Sequence, residues 1–386
     1  MKTVAGIALA LVVATCGVLP APARGAEAPV EIDVVLSLTG PAAFLGSKEA
    51  QALGIAEKMV NQDGGVRGRP IKFVIHDDGT SPQNTVQITN ALIAKKAALV
   101  IGPSVVAACS AMLPIVDANG PVAYCLAPPV QPRAGSYMFS QGNTMHDWIV
   151  TTLRACRVHK WNKIALITAT DASGQTYDKE FEAVFAGPEG RGLEIVDRQH
   201  FNVADISMAA QIAHMKSAGP AAVLSFTVGP AFGTLLRELN GTGMDPAVFG
   251  SAGNLNFAQL ESYKAFVPRE LYFAASGGGA LDPNALPAVR AAQAKFFKSF
   301  AEAGVRVEFL HTTAWDPAML YVDALRKLGP DANARQVHEY IEGLRRWTGI
   351  LGHYDFAANY QRGVASNTVR LYRWDAAKSE LTNVPF

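Results

Sequence analysis

From Glu31 onward, strand-length apolar runs alternate with helix-period segments, and only a few residues join one to the next. Repeated β-α units with short joins close as a parallel sheet with helices on both faces, because parallel strands need a crossover and crossovers are right-handed. The run Ile32 to Leu38 predicts the first strand. Ser47 to Asn61 follows at helical spacing, with Ala52, Ile55, Ala56, Met59 and Val60 on one side, and stops at Gly64-Gly65. Ile71 to Ile75 is a second strand, ending on Asp77-Asp78. Ser81 before Pro82 marks an N-cap with proline at the first helical position, and that helix runs to about Lys96. Leu99 to Gly102 and Val122 to Leu126 are further strands around a helix from Val105 to Asn119.

The grammar restarts after Asn143. His146 to Cys156, Gln175 to Phe185, Ile206 to Ser217 and Gly233 to Asn240 read as helices. Lys163 to Thr168, Leu193 to Val196, Ala222 to Phe226 and Leu271 to Ala275 read as strands. The tail differs: Leu286 to Ala303, Thr312 to Leu328 and Ala334 to Trp347 are long helical patterns, and Tyr354 to Phe356 and Thr368 to Trp374 are short strands. No low-complexity linker separates the two series, so two α/β lobes with tight joins are expected.

With 386 residues, 49% of them hydrophobic, the chain can fill two cores. Its 34 basic and 33 acidic residues, with no Lys/Arg run, argue against nucleic-acid binding. Lys2, the apolar stretch Val4 to Leu19 and Ala21-Pro22-Ala23 have the order of an export signal, expected to occupy residues 1–23 and to be removed. Thr15 before Cys16 is larger than a lipobox residue, so lipid anchoring is not expected. The mature protein is expected outside the cytoplasm, in the periplasm. Three cysteines then remain, Cys109, Cys125 and Cys156; one bridge is an option, and a buried inert thiol is the expected fate of each.

Enzyme signatures are missing. No G-x-G-x-x-G follows a strand, and there is no P-loop and no G-x-S-x-G. His338-Glu339-Tyr340-Ile341-Glu342 has glutamate where a second zinc imidazole belongs, and reads as a solvated helix face. Asp77 and Asp78, as neighbours on a strand, point to opposite faces and cannot easily share a proton, so a structural role is expected. No catalytic residue, metal or cofactor is expected.

In open parallel sheets, ligands sit beyond the strand C-termini, near N–H groups at helix starts. That selects Phe44, Leu45, Ser104, Val105, Val106, Ala127, Pro128, Pro129, Ser173, Thr227 and, further along, Asn254. His146, near a helix start, is a candidate partner for a carboxylate if protonated. Each has a plain alternative: Ser104 as a cap, Ser173 as a turn, Phe44 as packing within its lobe, His146 as a surface residue. Trp315, at helical spacing with Met319 and Val322, fits a core at least as well as a ligand wall.

Thr39-Gly40-Pro41, Gly64-Gly65-Val66-Arg67-Gly68, Asp77-Asp78, Ile101-Gly102-Pro103, Lys163 to Leu166, Thr234 to Arg237 and Ala314-Trp315-Asp316-Pro317 form an ordered set over most of the chain. That set resembles the periplasmic solute-binding proteins of ABC transporters, branched-chain amino-acid type. The resemblance implies two doubly wound parallel-sheet lobes joined by a multi-crossing hinge, the type I periplasmic binding fold, with residues 30–142 plus 275–348 in one lobe and 143–274 plus 349–386 in the other. It also implies a monomer that captures a small molecule by hinge closure and passes it to a membrane permease. A ligand sensor of the same fold is the alternative, and an α/β hydrolase-type enzyme a more distant one. By the same resemblance, Val106 and Val130 stand where hydroxyls grip an amino-acid carboxylate. Ser173 stands where a tyrosine does, and Ala252 where a glutamate meets the ligand ammonium. A buried ammonium without an anion costs several kcal/mol, so the expected ligand is an aromatic or branched carboxylate, or an amide, lacking an α-ammonium group.

Overall fold

The computed structural model describes residues 28–385. The export segment and Cys16 lie outside the described residues. The first sheet holds β1 (Val30–Leu36), β2 (Ile71–Asp77), β3 (Leu99–Ile101), β4 (Val122–Cys125) and β5 (Met138–Ser140) in the order β2-β1-β3-β4-β5, all parallel. Between them run α1 (Ala43–Gln62), α2 (Pro82–Ala94) and α3 (Val106–Val116). Alternate residues of β1 serve opposite faces. Val34 and Leu36 join Leu53, Ala56 and Val60 of α1 in one core, and Val35 joins Leu92, Cys109 and Met112 in another. Burial on both faces explains why β1 reads as a continuous apolar run.

The second sheet starts with β6 (Lys163–Ala169), β7 (Glu194–Phe201), β8 (Ala222–Phe226), β9 (Ala247–Gly250) and β10 (Leu271–Ser276), all parallel. Around it pack α4 (Met145–Val158), α5 (Ala172–Phe185), α6 (Ala209–Ala218), α7 (Pro230–Gly241) and α8 (Phe257–Ser262). The chain then returns to the first core with α9 (Pro287–Glu302), α10 (Phe309–Leu328) and α11 (Ala334–Gly343), followed by the ribbon β11 (Arg345–Thr348) and β12 (His353–Asp355). It ends on the second sheet, where β13 (Val369–Asp375) runs antiparallel to β10 and β14 (Glu380–Asn383) antiparallel to β13. The full order is β14-β13-β10-β9-β8-β6-β7.

Several sequence expectations need correction. The last helix stops at Gly343, and Trp347 belongs to a strand, where its ring meets Tyr354 edge-on across the ribbon. Residues 350–364, expected with the second lobe from 349, pack in the first core. Asp316 of α10 holds them there, accepting from Ile350 N at 2.9 Å, Leu351 N at 3.2 Å and Tyr354 Oη at 2.8 Å. Cys109 and Cys125 are joined by a disulfide with a Cα–Cα distance of 5.9 Å, because α3 folds back against the end of β4; among the described residues Cys156 alone is a buried free thiol, pushed up to about 12 by burial. His338 is buried rather than solvated, stacked on Tyr137 and bonded to Ser136 O.

Three chain crossings join the lobes, and Asn143 laces them. Its N–H donates to Ser276 Oγ at 3.0 Å, and its amide donates to Ala365 O and Thr368 Oγ1, both at 2.9 Å. Gly142 has φ +67, and a Cβ there would lie 2.7 Å from Ser276 Oγ, so the crossing needs glycine. Arg362, buried, donates to the oxygens of Pro128, Val130, Gln141, Gly142 and Asn143 and to Gln131 Oε1. Among the described residues, no helix is long and apolar enough to cross a membrane.

Candidate functional site

A cavity of about 100 Å³ lies between the lobes, at the C-terminal ends of both sheets. Such a volume suits a compact solute rather than a nucleotide or an oligosaccharide. The first lobe contributes Leu45 and Glu49 from the start of α1 and Ser104, Val105 and Val106 from the start of α3. It also contributes Leu126 to Pro129 after β4, and Phe309, Leu310 and Thr313 from α10. The second lobe contributes Trp148 from α4, Ser173 from α5, Phe226 and Val228 around the end of β8, and Ser251 to Gly253 after β9.

The lobes touch beside the cavity. The half-buried Phe44 packs on Gly229, where a Cβ would come within 3.2 Å of its ring and φ is +75. Glu308, at the N-cap of α10, pairs with Lys48 and accepts from Phe257 N of the second lobe at 2.9 Å.

The β1–α1 turn is held by the two aspartates. Asp77 accepts from Leu38 N, Thr39 N, Thr39 Oγ1 and Gly79 N. The buried Asp78 accepts from Ser37 Oγ, Thr80 N and Thr85 Oγ1. Both serve structure, and this turn aims α1 into the cleft.

Leu45, Ser104, Val105, Val106, Ala127, Pro128, Pro129 and Ser173 all line the cavity. Thr227 and Asn254 lie behind its wall. The Asn254 amide accepts from Gly229 N at 3.0 Å and donates to Thr227 O at 2.7 Å, so it braces the loop. His146 is exposed on the first turn of α4, facing Glu180 at 2.8 Å, outside the cavity lining. Trp315 is core, edge-on to Phe296. Val130 is buried, and its carbonyl is held by Arg362.

Glu49 is the most consequential of the lining residues that sequence reasoning missed. Its side chain is only 2% exposed. It accepts from Ser104 Oγ at 2.5 Å and from Thr313 Oγ1 at 3.3 Å. Ser104 Oγ itself accepts from Ser37 N at 3.3 Å. Burial pushes the Glu49 carboxyl up to about 7. The two hydroxyls pull the other way, and Asp78 adds to the rise.

The other hydroxyl protons at the cavity are spent. Ser173 donates to Asp171, Ser251 to Thr227 O, and Thr313 shares its one proton between Leu310 O at 2.8 Å and, more weakly, Glu49 at 3.3 Å. Among the described residues, no Lys, Arg or His lines the cavity. One side-chain donor is unspent: the buried indole N–H of Trp148 has no partner among the described residues. The start of α3, where Val105 is the N-cap, has no side-chain cap, so its first N–H groups also face the cleft edge unfilled. Among the described residues, no group of three or more His, Cys, Asp or Glu is placed to hold a metal.

The profile of a family described as periplasmic binding protein matches residues 29–379. A Leu/Ile/Val-binding protein homolog 3 of Brucella melitensis is 24% identical over 61% of this chain and 64% of its own length, just under two thirds. A Leu/Ile/Val-binding protein BraC3 of Rhizobium johnstonii is 20% identical over 92% of this chain and 94% of its own. Among solved structures, an ABC transporter solute-binding protein from R. palustris in complex with benzoate superposes with a TM-score of 0.75 at 19% identity, over 92% of this chain and 95% of that one; it shows the shared fold. Two lobes, a laced three-crossing hinge and a match over nearly the whole described chain agree: the chain belongs to the periplasmic binding protein family, type I fold, a family of solute binders rather than enzymes, beside the Leu/Ile/Val-binding proteins.

Proposed function

We propose that this chain is the exported solute-capture subunit of an ABC importer, and that it takes a compact carboxylate or amide with an aromatic or branched apolar body and no α-ammonium group. The carrying observation is the second-lobe side of the cavity, where Trp148, Ser173, Phe226, Val228 and Ser251 to Gly253 carry no acid to meet an ammonium. Ala252, not an acid, lines the second-lobe side, and Val105, Leu126, Phe226 and Phe309 suit an apolar body. The uncapped start of α3 favours a carboxylate at the same edge. Benzoate, the ligand of the R. palustris protein, is of this chemical class.

Ligand capture works by population shift. A solute that touches Trp148 from one lobe and Val106 from the other makes its full set of contacts only when the lobes are closed. The closed form is then the one a permease recognises. A second reading has one observation in its favour: Glu49, when ionised, supplies an anion for an ammonium such as that of leucine.

Calorimetric titration separates the two. Benzoate, phenylacetate and 4-methylpentanoate are expected to bind, with leucine and phenylalanine weaker by several kcal/mol for the unmatched charge. Binding of the amino acids with none of the acids overturns the ligand class. Protein recovered from the periplasm is expected to begin near Arg24.

A further inference from the structure

We infer that Glu49 sets which head group the cavity accepts, and that it does so as a neutral carboxylic acid donating a hydrogen bond to a carboxylate or carbonyl oxygen of the ligand. The inference rests on the ligand class proposed above and goes beyond it by naming the residue and the proton.

The geometry isolates Glu49. The neighbouring charge on its own helix is Lys48, already paired with Glu308 of α10. From α10 comes His311, whose Nδ1 accepts from Glu308 N and whose Nε2 meets Gln51 Oε1; burial pulls this ring down to about 3, so it is neutral. From the β2–α2 side comes Asp78, a second negative charge, behind Ser37. Across the cleft, Asp171 caps α5 and accepts from Gly174 N and Ser173 Oγ, and Asp147 accepts from Thr144 N in the capping box of α4. α3 carries no charged residue. No free cation therefore faces Glu49 from any of these elements.

An ionised ligand carboxylate beside an ionised Glu49 would place two negative charges in one desolvated space. Such a pair holds one proton between them. A proton taken from solvent onto Glu49 removes the repulsion. It also reverses the polarity of the site. With Glu49 ionised, Ser104 spends its proton on Glu49, so these side chains present only acceptors. With Glu49 protonated, either its own O–H points at the ligand, or it bonds Ser104 and frees the serine proton for the ligand. The cavity then offers a side-chain donor at its first-lobe side, where it had only acceptors. Burial that already holds Glu49 near 7 makes this proton available at neutral pH.

The test is titration of the mature chain with benzoate, phenylacetate and 4-methylpentanoate between pH 6 and 8.5, in two buffers of different ionisation heat. Affinity is expected to fall toward tenfold per pH unit above about pH 7, one proton's worth of linkage. Binding at pH 8.5 is expected to take up close to one proton per ligand. Glu49→Gln, with a permanent amide donor, is expected to lose the pH dependence and to bind these acids about thirtyfold more tightly than the natural protein at pH 8.5. If that variant does not fold, the proton count on the natural protein decides alone. Acids that bind with a flat profile and no proton uptake overturn the role of Glu49 and leave the ligand class standing. Leucine binding without the acids, weakened by Glu49→Gln, overturns both, as does failure of all three acids to bind.

Discussion

Arg362 at the hinge and Glu49 in the cleft are both buried charges, and their surroundings differ in kind. Arg362 spends its donors on five backbone carbonyls and one side-chain amide, from Pro128 round to Asn143. Glu49 receives one close hydroxyl and one distant one, and beyond them is a cavity. Burial pulls the guanidinium down to about 10, so it stays charged at neutral pH. The carboxyl is pushed up to about 7, so its charge is in play there. A buried charge whose bonding capacity is filled by the protein holds a structure together. One with capacity left over has something still to meet. The two are mechanically joined, because Arg362 grips the carbonyl of Pro128, whose ring lines the cavity.

The largest effect is expected at the saturated end. Arg362→Met leaves five buried carbonyl oxygens short of a donor where the crossings meet. The expected loss of unfolding free energy is about 4 kcal/mol, in the range for breaking a buried charged network. Urea unfolding measures it. A loss under about 1 kcal/mol would mean that water replaces the guanidinium and that the hinge is not held by it.

Next comes the covalent brace of the cleft wall. The Cys109–Cys125 bridge ties the first turn of α3 to the end of β4, so Val105 and Val106 are fixed relative to Ala127 and Pro128. The bond closes a loop of 16 residues, which corresponds to about 3 kcal/mol of unfolded-state entropy. The double substitution Cys109→Ala with Cys125→Ala is expected to lose about that much in thermal or urea unfolding. Cys156→Ala in the second lobe removes only a buried sulfur, and about 1 kcal/mol is expected. Equal losses would show that the bridge does not brace the first-lobe wall.

Much of this arrangement was legible in the chain. The alternation of strands and helices places strand ends at one edge, and that alone brought Ser104, Val105, Val106, Pro128 and Pro129 to the cavity. Ser81 caps α2 by accepting from Asn84 N, as its place before Pro82 implies. Glu49 was not legible. In Ser47-Lys48-Glu49 it looks like a solvated helix residue, and it is buried because Ser104 and Thr313 arrive from 55 and 264 residues away. Trp148 was missed for a local reason. Two residues along a helix turn the side chain by roughly 200°, so His146 faces Glu180 while Trp148 faces the cleft. The return of residues 350–364 to the first core depends on Asp316, which no periodicity reveals.

A conformational rather than an unfolding effect tests the open end of the comparison in the ligand-free protein. Glu49 lines the cavity that the lobes enclose, and burial raises its pKa from 4.5 to about 7. Closure therefore favours the protonated form. The contribution is fully present below the ordinary carboxyl range and is lost as pH rises through about 7. The hinge gives the protein a cheaper escape than unfolding, because opening the cleft returns water to Glu49 while both cores stay packed. Arg362 has no such escape, since its partners belong to the crossings themselves. The expected outcome is a shift of about 1–3 kcal/mol in the balance between closed and open forms between pH 4.5 and 8. Small-angle scattering is expected to show a larger radius of gyration at pH 8 than at pH 4.5 without ligand. Glu49→Gln is expected to abolish that difference while leaving the two-lobed envelope intact. A natural protein whose radius is the same at both values would show that Glu49 keeps its charge in the closed cleft at little cost, and the contrast with Arg362 would then be one of bond count alone.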